Sequence, residues 1–120
     1  MKILSNYSVA EVVEIDLDPT KGHEQKKTRP CVIINVHPML DLINVFPITD
    51  SINKSGRVFI VIKDLKSAGL IKASVIDTYQ IRTLSVNRIN KKMGKISADE
   101  VFACRKSLAL IFEIDEEHLT

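Results

Sequence analysis

Residues 9–17 alternate between apolar and polar side chains: Val13, Ile15 and Leu17 fall on one face, Glu14 and Asp16 on the other. A period of two over that length predicts a half-buried strand. Residues 30–36 are almost continuously apolar, as in a central strand with neither face in water. Residues 42–49 predict another strand. Pro47 within it predicts an edge or a bulge, because proline has no N–H to give to the ladder. Alternation returns over 57–63, and two shorter β-like runs occupy 73–79 and 81–84. Between the first two strands, residues 18–28 are polar and include Pro19 and Gly22, which predicts a long surface loop.

The period changes over 97–112. Val101, Cys104, Leu108 and Ile111 recur at helical spacing and predict one core-facing stripe. Ser97 with Glu100 three residues on predicts a capping box, and Asp99 and Glu100 sit where a helix dipole favours acids. Five or more strands without βαβ alternation, followed by one helix, predict a mainly β fold: a small antiparallel barrel with a C-terminal α-helix. At 120 residues the chain is one domain, 1–120, with no repeat, low-complexity tract or linker.

Composition narrows the class. Hydrophobic residues make up 45% and charged residues 27%, which excludes intrinsic disorder. No apolar run approaches the ~20 residues that span a bilayer. The opening residues lack the apolar core of a signal peptide, so a soluble cytoplasmic protein is expected. Cys31 and Cys104 lie in apolar runs without spacing partners, so they predict buried free thiols and neither a zinc site nor a disulfide. No metal or cofactor is implied.

A net charge of +2 is too mild to declare a nucleic-acid partner, but the charges are segregated. Glu11, Glu14, Asp16 and Asp18 form an acidic stretch, expected to be a solvent-facing strand edge. Lys21, Lys26, Lys27 and Arg29 follow, and Arg88 to Lys95 is basic throughout. That last stretch has two readings, a solvated run or an attractor for a phosphate backbone. Aromatic content of 5% with no Trp gives no stacking platform of the RRM kind.

Three stretches together resemble the MazF/PemK/Kid family of toxin–antitoxin ribonucleases. The first runs from Val12 to Ile34 and contains Gly22-His23-Glu24-Gln25 followed by Thr28-Arg29-Pro30. The second is Phe46-Pro47-Ile48-Thr49. The third runs from Gly69-Leu70-Ile71 through Ser74-Val75-Ile76 and Gln80-Ile81-Arg82-Thr83-Leu84 to Gly94-Lys95-Ile96-Ser97. The resemblance covers nearly the whole chain, and the pairing of Gly-His-Glu-Gln with Arg-Pro is its specific part. It implies an SH3-like barrel of the CcdB/MazF/PemK type that pairs as a homodimer. It also implies sequence-specific cleavage of single-stranded RNA, leaving 2′,3′-cyclic phosphate and 5′-hydroxyl ends, and a cognate antitoxin that blocks the groove.

Metal-free RNA cleavage needs a base for the 2′-hydroxyl, an acid for the leaving 5′-oxygen and a cation for the crowded phosphate. Arg29 suits the last role, since a guanidinium fork grips two phosphate oxygens; Pro30 biases it towards extended backbone. By itself Arg29 also reads as a solvated strand-end arginine, and the resemblance makes it catalytic. The same holds for Thr49, an ordinary strand residue by propensity and a phosphate-contacting hydroxyl by resemblance. His23 is a candidate general acid or base or an exposed loop histidine. Glu24 can orient Arg29 or serve as the base. Gln25 can bond a base edge, and Lys21 belongs to the same substrate-binding loop.

The third stretch departs from one branch of the family, which has an Arg and an Asp where this chain has Asp77 and Tyr79. That branch's acid–base assignment does not carry over, whereas Gln80 and Arg82 match. Gln80 is a candidate base reader. Arg82 either contacts phosphate or braces the barrel, and Tyr79 either stacks on a base or is a half-buried strand residue. Three other readings stand beside the ribonuclease: a gyrase-binding poison of the CcdB type, a degenerate relative that no longer cuts, and a plain SH3-like peptide-binding module.

Overall fold

The computed structural model describes residues 4–17, 28–50, 53–115 and 117. Its elements run β1 (Glu11–Asp16), β2 (Thr28–His37), β3 (Leu42–Thr49), β4 (Phe59–Val61), α1 (Leu65–Ala68), β5 (Val75–Asp77), β6 (Arg82–Ser85), β7 (Ile89–Lys95) and α2 (Ala98–Ile111). Every strand pairing is antiparallel. Among the described residues the path is β4-β5-β3-β2-β1-β7, with β6 also on β3. A mainly antiparallel β fold with a C-terminal helix is therefore what the sequence predicts. The barrel is not closed by pairing, since β4 and β7 end the path.

Why 31–34 is continuously apolar is now physical. Val32 and Ile34 face one core cluster, with Val12, Phe46, Ile48 and the α2 residues Val101 and Cys104. Cys31 and Ile33 face a second cluster, with Val13, Ile15, Ile43, Val45 and Leu84. Both faces of β2 are dry, and each fully buried Ile or Val stabilises the fold by about 1.5–3 kcal/mol relative to exposure.

Pro47 is not at an edge. It lies in β3 opposite Cys31, where the other side of β3 changes partner. β6 pairs with Leu42 to Val45 and β5 with Ile48 and Thr49. The residue without an N–H sits where the ladder on that side is interrupted.

Most of the basic run 88–95 forms a strand, β7, whose lysines are exposed. β7 lies along acidic β1 with Lys95 opposite Glu11 and Lys91 opposite Glu14. Lys92 Nζ is 3.1 Å from Glu11 Oε2 and sits over the Tyr7 ring, and Asn90 Nδ2 donates to Glu14 Oε1. The acidic edge of β1 is thus covered by its complement rather than left to solvent. Cross-strand pairs of opposite charge add a few tenths of a kcal/mol up to about 1 kcal/mol each.

The predicted capping box of α2 is present: Ser97 Oγ accepts from the Glu100 N–H, and Glu100 Oε1 accepts from the Ser97 N–H at 3.0 Å. Glu100 Oε2 also accepts from the backbone N–H of Lys63 at 2.8 Å, and Ser107 Oγ donates to the Arg57 carbonyl. The helix is pinned to the segments on either side of β4 as well as packed on the core.

Candidate active site

β2 and β3 carry the two residues that matter most. Cys31 pairs with Pro47, Val32 with Phe46 and Ile33 with Val45. Arg29 and Thr49 each lie two residues beyond the Cys31–Pro47 pair, at the same end of the two strands. Both line one open groove of about 560 Å³, with Thr28, Pro30, Ile48 and Asp50 from the same strand ends and Leu70, Ile71, Lys72 and Ser74 from the opposite wall. Arg29 is exposed and Thr49 half-buried. The groove therefore presents a guanidinium and a hydroxyl, each a donor suited to an anionic oxygen.

Below Arg29 lies Cys31, whose Sγ donates to the Arg29 carbonyl at 3.8 Å. Burial pushes this thiol up to about 12, against the opposing pull of the Arg82 and Arg29 charges. Cys31 is thus an inert floor under Arg29. Cys104 is also buried and raised to about 12, by burial first and then by the Glu100 carboxylate. Both cysteines are free and buried, as expected from their apolar surroundings.

Arg82 pairs with Val45, two residues from Pro47, and its Nη1 donates to the Leu17 carbonyl at 3.4 Å. Arg88 likewise donates to the Asp16 carbonyl. Arg82 braces the end of β1 and shares the electrostatic neighbourhood of Arg29, but it does not line the groove. Gln80 stands on an exposed 3-10 turn, Thr78–Gln80, with its Nε2 donating to Asp77 Oδ2 at 3.2 Å. It too lies away from the groove lining.

Asp77 proves to be structural. It caps that turn by accepting from the Tyr79 N–H, accepts from Gln80 and pairs with Lys54 at 3.6 Å, while itself buried. Tyr79 is 66% exposed, which removes the half-buried reading. Lys21, His23, Glu24 and Gln25 lie outside the described residues. The residues that flank them do not: Asp16 pairs with Thr28, and Thr28 lines the groove.

The wall at 70–74 falls within the third stretch of the resemblance, Gly69-Leu70-Ile71 through Ser74, to which the sequence assigns no site role. It follows α1, a single turn with Asp64 as N-cap and Gly69 in the left-handed conformation at its C-cap. The Ser67 hydroxyl, and then its N–H, hold the Asp64 carboxyl below the ordinary range. Asp64, Ser67 and Gly69 are legible start and stop signals, but four residues are too few for a period. Lys72 Nζ reaches Asp50 Oδ2 across the groove at 3.8 Å. Among the described residues, no group of three or more His, Cys, Asp or Glu side chains is placed to hold a metal ion.

Comparisons with known proteins identify the family and the fold. Residues 8–112 match the family model described as PemK-like, MazF-like toxin of type II toxin–antitoxin system. Endoribonuclease MazF of Staphylococcus epidermidis is 35% identical over 101 residues, covering 82% of this chain and 84% of that protein. Endoribonuclease MazF9 of Mycobacterium tuberculosis is 27% identical over 112 residues, covering 87% and 94%. Among solved structures, a MazE–MazF crystal structure from Deinococcus radiodurans superposes with a TM-score of 0.76 at 18% identity, covering 91% of this chain and 97% of that one. With the family model matched over nearly its full length, this chain belongs to the PemK-like, MazF-like toxins of type II toxin–antitoxin systems.

Proposed function

We propose that this chain is an endoribonuclease that cuts single-stranded RNA at short sequence motifs without a metal ion. The observation that carries the reading is that Arg29 and Thr49 line one open groove, in a chain whose relatives are named endoribonucleases. The substrate's 2′-oxygen forms a bond to phosphorus as the bond to the 5′-oxygen breaks. The 2′-hydroxyl proton passes to a base, and an acid returns a proton to the leaving 5′-oxygen. The products are a 2′,3′-cyclic phosphate and a 5′-hydroxyl.

Arg29 grips the non-bridging oxygens and offsets the charge that gathers on them, and the Thr49 hydroxyl adds a second donor. Asp77 is committed to its cap, so proton transfer falls to His23 and Glu24, on the segment joined to the groove through Thr28. Lys21 and Gln25 contact the strand from the same segment. Gln80 and Arg82 extend the contact surface beyond the groove. A cognate antitoxin neutralises the protein by covering that groove; one structural neighbour is a MazE–MazF complex. The protein works in the cytoplasm as a homodimer, a state favoured by the exposed apolar side chains Phe102, Leu110 and Phe112 on and after α2.

Incubation of a long single-stranded RNA with the purified protein in excess EDTA tests this reading. Discrete fragments with cyclic-phosphate ends are expected, with affinity that falls steeply as salt is added. Intact RNA at high protein concentration would overturn it, and a gyrase-binding assay would then come next.

A further inference from the structure

The wall opposite Arg29 places two side chains of unlike chemistry next to each other. Ile71 is 95% exposed and offers an aliphatic surface at the groove. Lys72 follows it, and its ammonium crosses the groove to Asp50 at 3.8 Å, with the two side chains 73% and 63% exposed. An ion pair that open contributes little to stability, so an incoming anion exchanges with Asp50 at little cost. Asp50 and Lys72 line the same groove as Arg29 and Thr49.

We propose that Ile71 and Lys72 form a nucleotide subsite next to the scissile phosphate, with Asp50 as its occupant in the free protein. This rests on the ribonuclease reading. A phosphate of the bound strand takes the Lys72 ammonium from Asp50, and the neighbouring base lies on Ile71. A base covering an aliphatic side chain gains from apolar burial whatever its hydrogen-bonding edge, so this subsite strengthens binding without choosing a base. Asp50 sets the threshold: a ligand without a phosphate at that position leaves the ion pair closed.

The test measures binding of a short, non-cleavable 2′-O-methyl oligonucleotide at several salt concentrations, alongside cleavage of ordinary RNA by the parent protein. Lys72→Ala is expected to weaken binding roughly fivefold and to make the slope of log affinity against log salt shallower by about 0.7, the loss of one phosphate contact on a single strand. Ile71→Ser is expected to weaken binding roughly threefold with the slope unchanged, because it removes apolar contact and no charge. Asp50→Asn is expected to tighten binding, and that gain shrinks in the Lys72→Ala background, because Asp50 acts through Lys72. All three positions are exposed, so each variant keeps the parent's unfolding midpoint.

A parental slope in Lys72→Ala, or parental affinity in Ile71→Ser, overturns the subsite while parent cleavage leaves the ribonuclease standing. Failure of the parent to bind or cut RNA overturns both.

Discussion

Gly69 and Gly94 meet backbone to backbone, one at the C-cap of α1 and the other in β7. A methyl on Gly94 would run into the Ser67 carbonyl oxygen, and a methyl on Gly69 into that of Met93. Gly69 is required a second time by its φ of +76°, where a side chain is strained. The contact fixes α1, and with it the groove wall that follows, against a strand on the far edge of the sheet.

Gly94→Ala therefore keeps an allowed backbone and fails on space alone. It is expected to lower stability by about 1–3 kcal/mol, the usual cost of overpacking, read as a lower urea midpoint. Gly56→Ala is the counterpart, because it carries strain at φ +111° with nothing within 4 Å. RNA affinity should fall in Gly94→Ala and hold in Gly56→Ala at equal urea-corrected folded fraction. An unchanged midpoint in Gly94→Ala would mean that α1 yields freely and does not hold the wall.

Cys31 and Cys104 should resist alkylation while the protein is folded. Only the thiolate reacts, and burial holds both thiols near 12, against an ordinary 9.0. Iodoacetamide at pH 8 is expected to label neither until urea unfolds the chain, as read by intact mass. The sign of the linkage follows: the folded state keeps a proton that the unfolded state gives up above pH 9. The stability this contributes is full below 9 and is lost as pH rises from 9 towards 12. Rapid labelling of Cys31 in the folded protein would show that the floor under Arg29 is open to solvent.

The strands and α2 were legible because each obeys one period or carries its own caps: Val13, Ile15 and Leu17 for β1, Ser97 and Glu100 for α2. β7 was not, since Ile89 to Lys95 has no alternation. The register against β1 explains why, with irregularities between Val12 and Val13 and between Glu14 and Ile15; a bulge breaks the period on which such a reading depends. Of the site, Arg29 and Thr49 were legible by resemblance, and their union in one groove is a matter of strand register. Ile71 lay in a resembling stretch without a role, and Lys72 and Asp50 were not legible, because their pairing is a tertiary contact between the end of β3 and the segment after α1.

The capping box of α2 should prove unequal in its two halves. Ser97→Ala removes one cap and is expected to cost about 1 kcal/mol. Glu100→Ala removes the reciprocal bond and also strips the part-buried Lys63 N–H of its acceptor, and losing that further hydrogen bond adds about 1 kcal/mol. Chemical denaturation of both variants and of the double variant checks this. The double variant should lose less than the sum, because the two residues share the Ser97–Glu100 bonds. Equal losses for the two single variants would detach Glu100 from Lys63.

Arg29 and Thr49 should differ in what can replace them, and this separates their proposed roles. Arg29→Ala is expected to abolish cleavage, and Arg29→Lys to remain severely impaired, because an ammonium restores charge without the planar fork that binds two oxygens at once. Losing a positioned donor to transition-state charge costs on the order of 10²–10³ in rate. Thr49→Ser keeps the hydroxyl and should retain most of the activity. Thr49→Val keeps the shape and the β-branch, so it preserves the strand and should cut slowly, as should Thr49→Ala. The comparison is single-turnover cleavage of one defined RNA, with circular dichroism confirming the fold. If Arg29→Lys cuts like the parent, charge alone is needed and the bidentate grip is wrong. If Thr49→Val does, Thr49 is a strand residue and the second donor to the phosphate must come from elsewhere in the groove.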